Sequence, residues 1–288
     1  MNALASPPPF PTNPAVGDTY CGWTWNGSQW ICTQGQQVVI QTFLTSGTYQ
    51  PSPGCVSLVV ETIGGGGGGG GSWEAAAGQI NAGAGGGSGG RSRKALPLAM
   101  VRGGVIVTIG SGGAGGQPGA ANGGDGGATQ FGALCVANGG AGGGTQSASV
   151  FAPVPGRGAL PGVGDVAFAG NSGQPGYWQV WATPTNITAP MPMGGSIAGG
   201  VQSEVVAPTT AVNGVPGYAN TGAGGGGAVQ NQDPGGGAAG GTGGSGICWV
   251  TEYCFSFSGG PGGCDPCGGG MARVAAPQGW SGGIDYGD

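Results

Sequence analysis

Eight cysteines, Cys21, Cys32, Cys55, Cys135, Cys248, Cys254, Cys264 and Cys267, are the residues best suited to chemistry in this chain of 288 residues, which contains no histidine. Without histidine, the Ser-His-Asp and Cys-His nucleophilic arrangements and most zinc or iron sites fall away together. The cysteines include only one close pair, the CDPC of Cys264 to Cys267, which is not a four-ligand zinc site. Disulfides formed outside a reducing cytoplasm use them better, and all eight are disulfide candidates. The acids Glu61, Glu74, Asp125, Asp165, Glu204, Asp233 and Glu252 are scattered rather than paired in a motif, so no catalytic activity is expected. GxGxxG-like strings occur in the glycine tracts, but none stands between a strand and a convincing helix, so they carry no nucleotide claim. No metal and no cofactor is expected.

The other chemically able residues are large aromatics. Tyr177, Trp178, Trp181 and Tyr218 lie in a proline-containing middle region, Ser147 to Tyr218, that shows no helical periodicity and reads as long loops. Rigid amphipathic rings on loops are the usual material of binding surfaces, and these four are the candidates for a contact surface, with burial in a core as the competing reading.

What must hold these residues in place is unusual. The chain has 76 glycines and 22 prolines, and hydrophobic residues make up 38% of it, so its apolar core must be small. Charged residues are only 6%, and the net charge of −5 with six Lys and Arg leaves no electrostatic footprint for nucleic acid or an anionic membrane. The short basic cluster Arg91, Arg93, Lys94 and Arg102 reads as a solvated loop. No apolar run reaches the length of a membrane-spanning helix, and the N-terminus lacks the basic start and apolar stretch of a signal peptide.

Along the chain, residues 1–16 form a proline-rich arm. Residues 17–36 contain GDTYCGWTWNGSQWIC, aromatic and polar residues alternating about Asn26-Gly27, and predict a small tryptophan-rich hairpin. A two-residue turn there sets Cys21 opposite Cys32, which a cross-strand disulfide could join, with Trp23, Trp25 and Trp30 covering one face. From residue 37 to 257 runs a glycine-rich β domain. Thr42 to Tyr49 is β-favouring with a Ser46-Gly47 turn, and with the Pro51 to Gly54 break and the β-branched Val56 to Ile63 it reads as strand, turn, strand. Eight glycines follow, Gly64 to Gly71. Trp73 to Ile80 suits one helical turn, and Val105 to Ile109 a short strand.

Glycine then recurs every third residue, at Gly83, Gly86 and Gly89, at Gly110, Gly113, Gly116 and Gly119, and at Gly237, Gly240, Gly243 and Gly246. A three-residue period matches polyproline II, whose peptide groups all point outward. Without side chains, such helices can approach and hydrogen-bond to one another, and ordered packing of this kind is the expectation over flexible loops. Ile247 to Phe257 alternates as a strand, with Cys248, Val250, Glu252 and Cys254 on one face, and its expected neighbour is Val56 to Ile63, bringing Cys55 close to Cys248 or Cys254. Residues 258–288 form a cysteine-containing tail. The fold class is all-β: a small β-sandwich with long glycine-rich, polyglycine II-like insertions and an N-terminal hairpin module.

The succession SGTYQPSPG, VSLVVETIGGGGGGGGS, VIVTIGSGGAGG, GATQFG and GICWVTEY resembles the glycine-rich domain of bacteriophage tail fibres and related virion appendage proteins, over roughly residues 37 to 257. FPTNPAVGDTY with WTWNGSQWI is similar to a hairpin module of the same class. The resemblance implies a virion component, commonly trimeric, involved in host attachment: a tail or collar fibre or adhesin made in the host cytoplasm and carried on the extracellular particle. The alternative is a purely structural, disulfide-reinforced decoration or connector without a receptor of its own. Expected partners are two further copies in a homotrimer, other virion proteins through the N-terminal arm, and a host cell-surface receptor, with no nucleic acid and no membrane insertion.

Overall fold

A computed structural model describes residues 12–20, 23–32, 36–119, 121–146, 152–180, 189–196, 205–208, 210–233 and 235–255. The chain divides into one unit of residues 1–37 and 255–288 and a second of residues 38–254. In the first, β1 (Thr19–Tyr20), β2 (Trp23–Trp25) and β3 (Trp30–Cys32) form an antiparallel sheet. Its turn is not the two-residue one expected. Asn26 Oδ1 accepts from the backbone N–H groups of Ser28 and Gln29, Gly27 takes φ +100°, and the loop lengthens to Asn26–Gln29. The register therefore pairs Trp25 with Trp30 and Trp23 with Cys32. The offset that would face Cys21 to Cys32 is absent; Cys21 itself lies outside the described residues.

The second unit opens with β4 (Gln36–Phe43), β5 (Gly47–Tyr49), β6 (Cys55–Ile63), β7 (Gln79–Ala82), β8 (Arg91–Pro97) and β9 (Val105–Thr108). It continues with β10 (Thr129–Phe131), β11 (Cys135–Ala137), β12 (Val166–Phe168), β13 (Tyr177–Val180), β14 (Ala189–Pro190) and β15 (Val205–Val206). It ends with β16 (Thr210–Val212), β17 (Val229–Asn231) and β18 (Ile247–Phe255). A five-stranded sheet, β12-β8-β6-β18-β4, faces a four-stranded one, β11-β10-β9-β5, as a small sandwich. Leu58, Val60, Leu96, Cys248 and Val250 from the first meet Tyr49, Val107, Phe131 and Cys135 from the second in one core. β4 and β5 belong to different sheets, with the chain crossing over at 44–46, next to the turn expected at Ser46-Gly47.

The closing strand pairs as its alternation predicts, β18 antiparallel to β6 with Ile247 opposite Ile63. Cys248, Val250, Glu252 and Cys254 are the buried face. Two local expectations fail. Trp73 to Ile80 is no helical turn, because its backbone finds partners elsewhere: Ala75 N–H donates to Asp233 O, Asn81 Nδ2 donates to the carbonyls of Trp73 and Glu74, and Gly78 (φ +76°) turns the chain into β7. Arg91, Arg93 and Lys94 lie on β8 rather than a loop, with Arg91 and Arg93 turned outward onto Glu61 of β6.

The glycine tracts continue the strands rather than interrupt them. β6 runs into 64–71, β8 emerges from 83–90, and β18 emerges from 238–246. Gly64, Gly67 and Gly70 donate their N–H groups to Gly90, Gly87 and Ala84 O; Gly65, Gly68 and Gly71 to Gly127, Gly124 and Ala121 O; Gly66, Gly69 and Ser72 to Gly244, Gly241 and Ala238 O. Those three neighbours are antiparallel. Three parallel neighbours donate to the same tract's carbonyls: Gly113, Gly116 and Gly119 to those of Gly66, Gly69 and Ser72; Gly140, Gly143 and Gln146 to those of Gly65, Gly68 and Gly71; Gly225 and Ala228 to those of Gly67 and Gly70. The repeat of three is that of the polyproline II helix, and it yields a polyglycine II bundle whose central tract is wholly buried.

Side chains are excluded from that centre. A Cβ at any of Gly64 to Gly71 would stand 1.9–2.2 Å from a neighbouring carbonyl oxygen. The three-residue glycine spacing marks the faces turned to it: a Cβ at Gly83, Gly86 or Gly89 would meet Gly70, Gly67 or Gly64 O, and one at Gly240 or Gly243 would meet Gly69 or Gly66 O. The middle region, expected to be loops, supplies further tracts: Gly156 and Ala159 N–H donate to Gly85 and Ser88 O, while Gln174 and Asn171 O accept from Gly85 and Ser88 N–H. Its prolines suit this structure, because the ring fixes the φ that the helix needs.

Gly68→Ala places a methyl 1.9 Å from Ala114 O and should destabilise the domain by roughly 4 kcal/mol or prevent folding, an exceptional cost for one methyl. Gly103→Ala, where nothing lies within 4 Å, should fold normally. Chemical denaturation of the two variants and the parent measures the difference.

Candidate functional site

Two kinds of site-forming residue emerge, one buried and one at the surface. The buried group is organised by Glu252 on the inward face of β18. Its Oε1 accepts from the Tyr49 hydroxyl (2.6 Å), the Ser52 N–H (3.0 Å) and Gln41 Nε2 (3.3 Å), whereas Oε2 is buried without a hydrogen-bond partner. Burial pushes the carboxyl up, but the bonds from Ser52, Tyr49 and Gln41 outweigh it and leave Glu252 below the usual carboxylate range. Burial, together with the hydrogen bond to that carboxylate, drives the Tyr49 hydroxyl far up. Tyr49 also packs its ring on Phe131, centroids 5.2 Å apart.

Cys55 and Cys254 border the same group as ladder partners, and Cys135 and Cys248 lie farther along the core. All four are buried, and in this structure each is in the thiol form. Burial raises Cys55 to about 11 and Cys248 to about 12, and it raises Cys135 and Cys254 as well. Thiols so disposed are poor nucleophiles. The arrangement joins elements; it has no reactive thiolate. Cys264 and Cys267 lie outside the described residues, and of Cys32 only the backbone in β3 is described. Among the described residues, no group of three or more His, Cys, Asp or Glu could hold a metal ion.

The surface group is built on the four-stranded sheet β13-β7-β17-β16, beyond the other end of the tracts. The register Tyr177 with Ala82 and Trp178 with Asn81 sends successive side chains of β13 to opposite faces. Tyr177 turns into a second small core with Ile80, Ala82, Ala189, Met191 and Val229, and its hydroxyl donates to Pro190 O at 2.6 Å. Burial raises that hydroxyl to about 12. Trp178 stands on the opposite face, 37% exposed, and Tyr218 is 50% exposed beside the tracts, where Thr221 Oγ1 donates to its carbonyl. Trp181 lies outside the described residues. Of the contact candidates described, Tyr177 is a core residue, and Trp178 and Tyr218 are surface ones.

Sequence reading did not single out the Glu252 cluster. The signal existed: a carboxylate alternating with Cys248, Val250 and Cys254 on an apolar strand face must find donors if that face is buried. Which donors they are depends on Gln41, Tyr49 and Ser52 arriving from far away in the chain.

The fold and these groups define an all-β protein in which a sandwich and a smaller sheet are joined through a polyglycine II bundle. Residues 41–253 match the family model for a glycine-rich domain, and the chain belongs to that family. No curated protein matches the chain.

Because Glu252 has a lowered folded-state value, its contribution to stability is present above the unfolded value, about 4.3, and is lost as the pH falls through the folded value. Glu252→Gln should flatten that acid-side loss in denaturation midpoints taken across pH 2–5. Tyr49→Phe should cost about 1.5–3 kcal/mol at neutral pH, the range for a hydrogen bond to a charged group. Equal acid sensitivity in the parent and Glu252→Gln would assign the transition to other carboxyls.

Proposed function

We propose that this chain is a structural protein of a bacteriophage particle, a tail or collar fibre or adhesin that contributes to host attachment as a homotrimer. Membership of the glycine-rich domain family supports the scaffold half of this reading. The observation that carries the contact half is the exposure of Trp178 and Tyr218 on backbone held by β13 and by the tracts, since β13 pairs with β7 and Gly217 N–H donates to Thr242 O. Rigid rings on a fixed backbone lose little entropy on binding, which favours recognition of a receptor on the host surface. The N-terminal arm would attach the chain to other virion proteins.

One observation favours the second reading, a connector or decoration protein without its own receptor. Tyr177, adjacent in sequence to Trp178, serves the second core and a hydrogen bond rather than the surface. In that case Trp178 would pack against another subunit.

Trp178→Ala combined with Tyr218→Ala separates the readings. Particles that assemble with normal appendage content but adsorb to cells at least about tenfold more slowly, the scale expected of aromatic contact residues, support the adhesin. Normal adsorption removes the receptor role from these residues, and loss of the appendage from the particle assigns them to assembly. Light scattering of the purified protein should give three times the chain mass; a stable folded monomer would overturn the trimer.

A further inference from the structure

We propose that Cys55 and Cys254 are joined by a disulfide that locks β6 to β18 at the end of the ladder away from the glycine tracts. The two are direct partners in that antiparallel ladder. Facing Cα atoms in such a pair stand about 4.5–5.5 Å apart, which a disulfide spans without moving the backbone. Both side chains are buried on the same face of the ladder.

The register gives an independent argument. From Ile63 opposite Ile247 to Ser57 opposite Tyr253 the ladder runs one to one, and it then shifts so that Cys55 meets Cys254 and Val56 has no opposite number. Strict alternation from the inward Leu58 would turn Val56 inward and Cys55 to solvent. The bulge instead leaves Val56 44% exposed and returns Cys55 to the core face at 3%, opposite Cys254 at 2%. The irregularity thus sets the two cysteines opposite one another on the core face. Cys135 and Cys248 have no such relation: Cys248 is the ladder partner of Thr62, and Cys135 Sγ lies 3.6 Å from Thr62 Oγ1.

The bond forms by exchange with a low-molecular-weight disulfide such as glutathione disulfide. One cysteine, as thiolate, attacks the reagent and releases one thiol; the other attacks the mixed disulfide and releases the second. One S–S bond forms in the protein, the reagent's S–S bond breaks, and the two cysteine protons end on the two released thiols. The closed sandwich keeps reagent from both sulfurs, so exchange belongs to folding, before the ladder is complete. Once formed, the bond is shielded from reductant by the same burial. It closes a loop of about 200 residues holding the whole glycine bundle, and its stabilisation in the chain-entropy account grows with loop length.

The full chain, refolded from denaturant in a glutathione redox buffer, is denatured, alkylated and mapped by mass spectrometry without reduction. The expected result is a peptide pair linking Cys55 to Cys254, with Cys135 and Cys248 alkylated. The oxidised chain should melt roughly 10 °C above the same chain after reduction. Alkylation of both Cys55 and Cys254 in the refolded protein, or bonds from either to other cysteines, would overturn the pairing. The parent chain decides the matter by itself. In Cys55→Ser and Cys254→Ser variants that refold, the remaining partner should become alkylatable.

Discussion

A peptide backbone with no side chain in the way is the interaction on which this structure depends. At Gly64 to Gly71, peptide N–H and C=O groups radiate to six surrounding tracts, and the neighbours come so close that a methyl would collide with a carbonyl oxygen. Ordering glycine is entropically expensive. Here the cost is offset by buried peptide groups that pair on all sides and by close van der Waals contact between backbones. Hydrogen bonding has taken over a share of the stabilisation that side-chain burial carries in an ordinary domain, which is how a chain with 38% hydrophobic residues and 76 glycines packs an interior.

The bundle does not stand alone. Its tracts are continuous with β6, β8 and β18 on one side and with β7, β13, β16 and β17 on the other, so each sheet fixes the register in which the tracts enter. A polyglycine helix carries no side-chain code for its own axial position, and a slide by three residues would leave its hydrogen bonds equivalent. The apolar sheets supply that code. Val60 opposite Val250 and Val229 opposite Ala82 place the tract ends, and the bulge at Val56 and the Glu252 cluster tie down the far edge of the sandwich. Buried polar groups serve as specificity devices in such a setting, since a carboxylate with three donors tolerates only one arrangement of the loops that bring them.

The central tract presents nothing but backbone to its neighbours, and large side chains such as Trp178, Tyr218, Leu160 and Phe168 stand exposed on strands and tracts farther out.

Much of this was legible in the sequence. The period of two in Ile247 to Phe255 separates the buried Cys248, Val250, Glu252 and Cys254 from the outer face, and the period of three at Gly83, Gly86 and Gly89 marks a helix turned toward another backbone, because both periods follow from local geometry. Other features depended on partners distant in the chain. Which tracts surround Gly64 to Gly71, why Trp73 to Ile80 extends rather than coils, and why Tyr177 points inward while Trp178 points out were decided by contacts with Asp233, Asn81 and Ala82 that no local pattern encodes. The turn after Asn26 was misread for a local reason, since its side chain could cap two N–H groups and lengthen the loop as readily as form a two-residue turn. Sequence periodicity set the type of the strongly patterned elements, β18 and the glycine tracts; hydrogen-bond partners and packing decided where each one went, because a backbone donor specifies that it must be satisfied and not by whom.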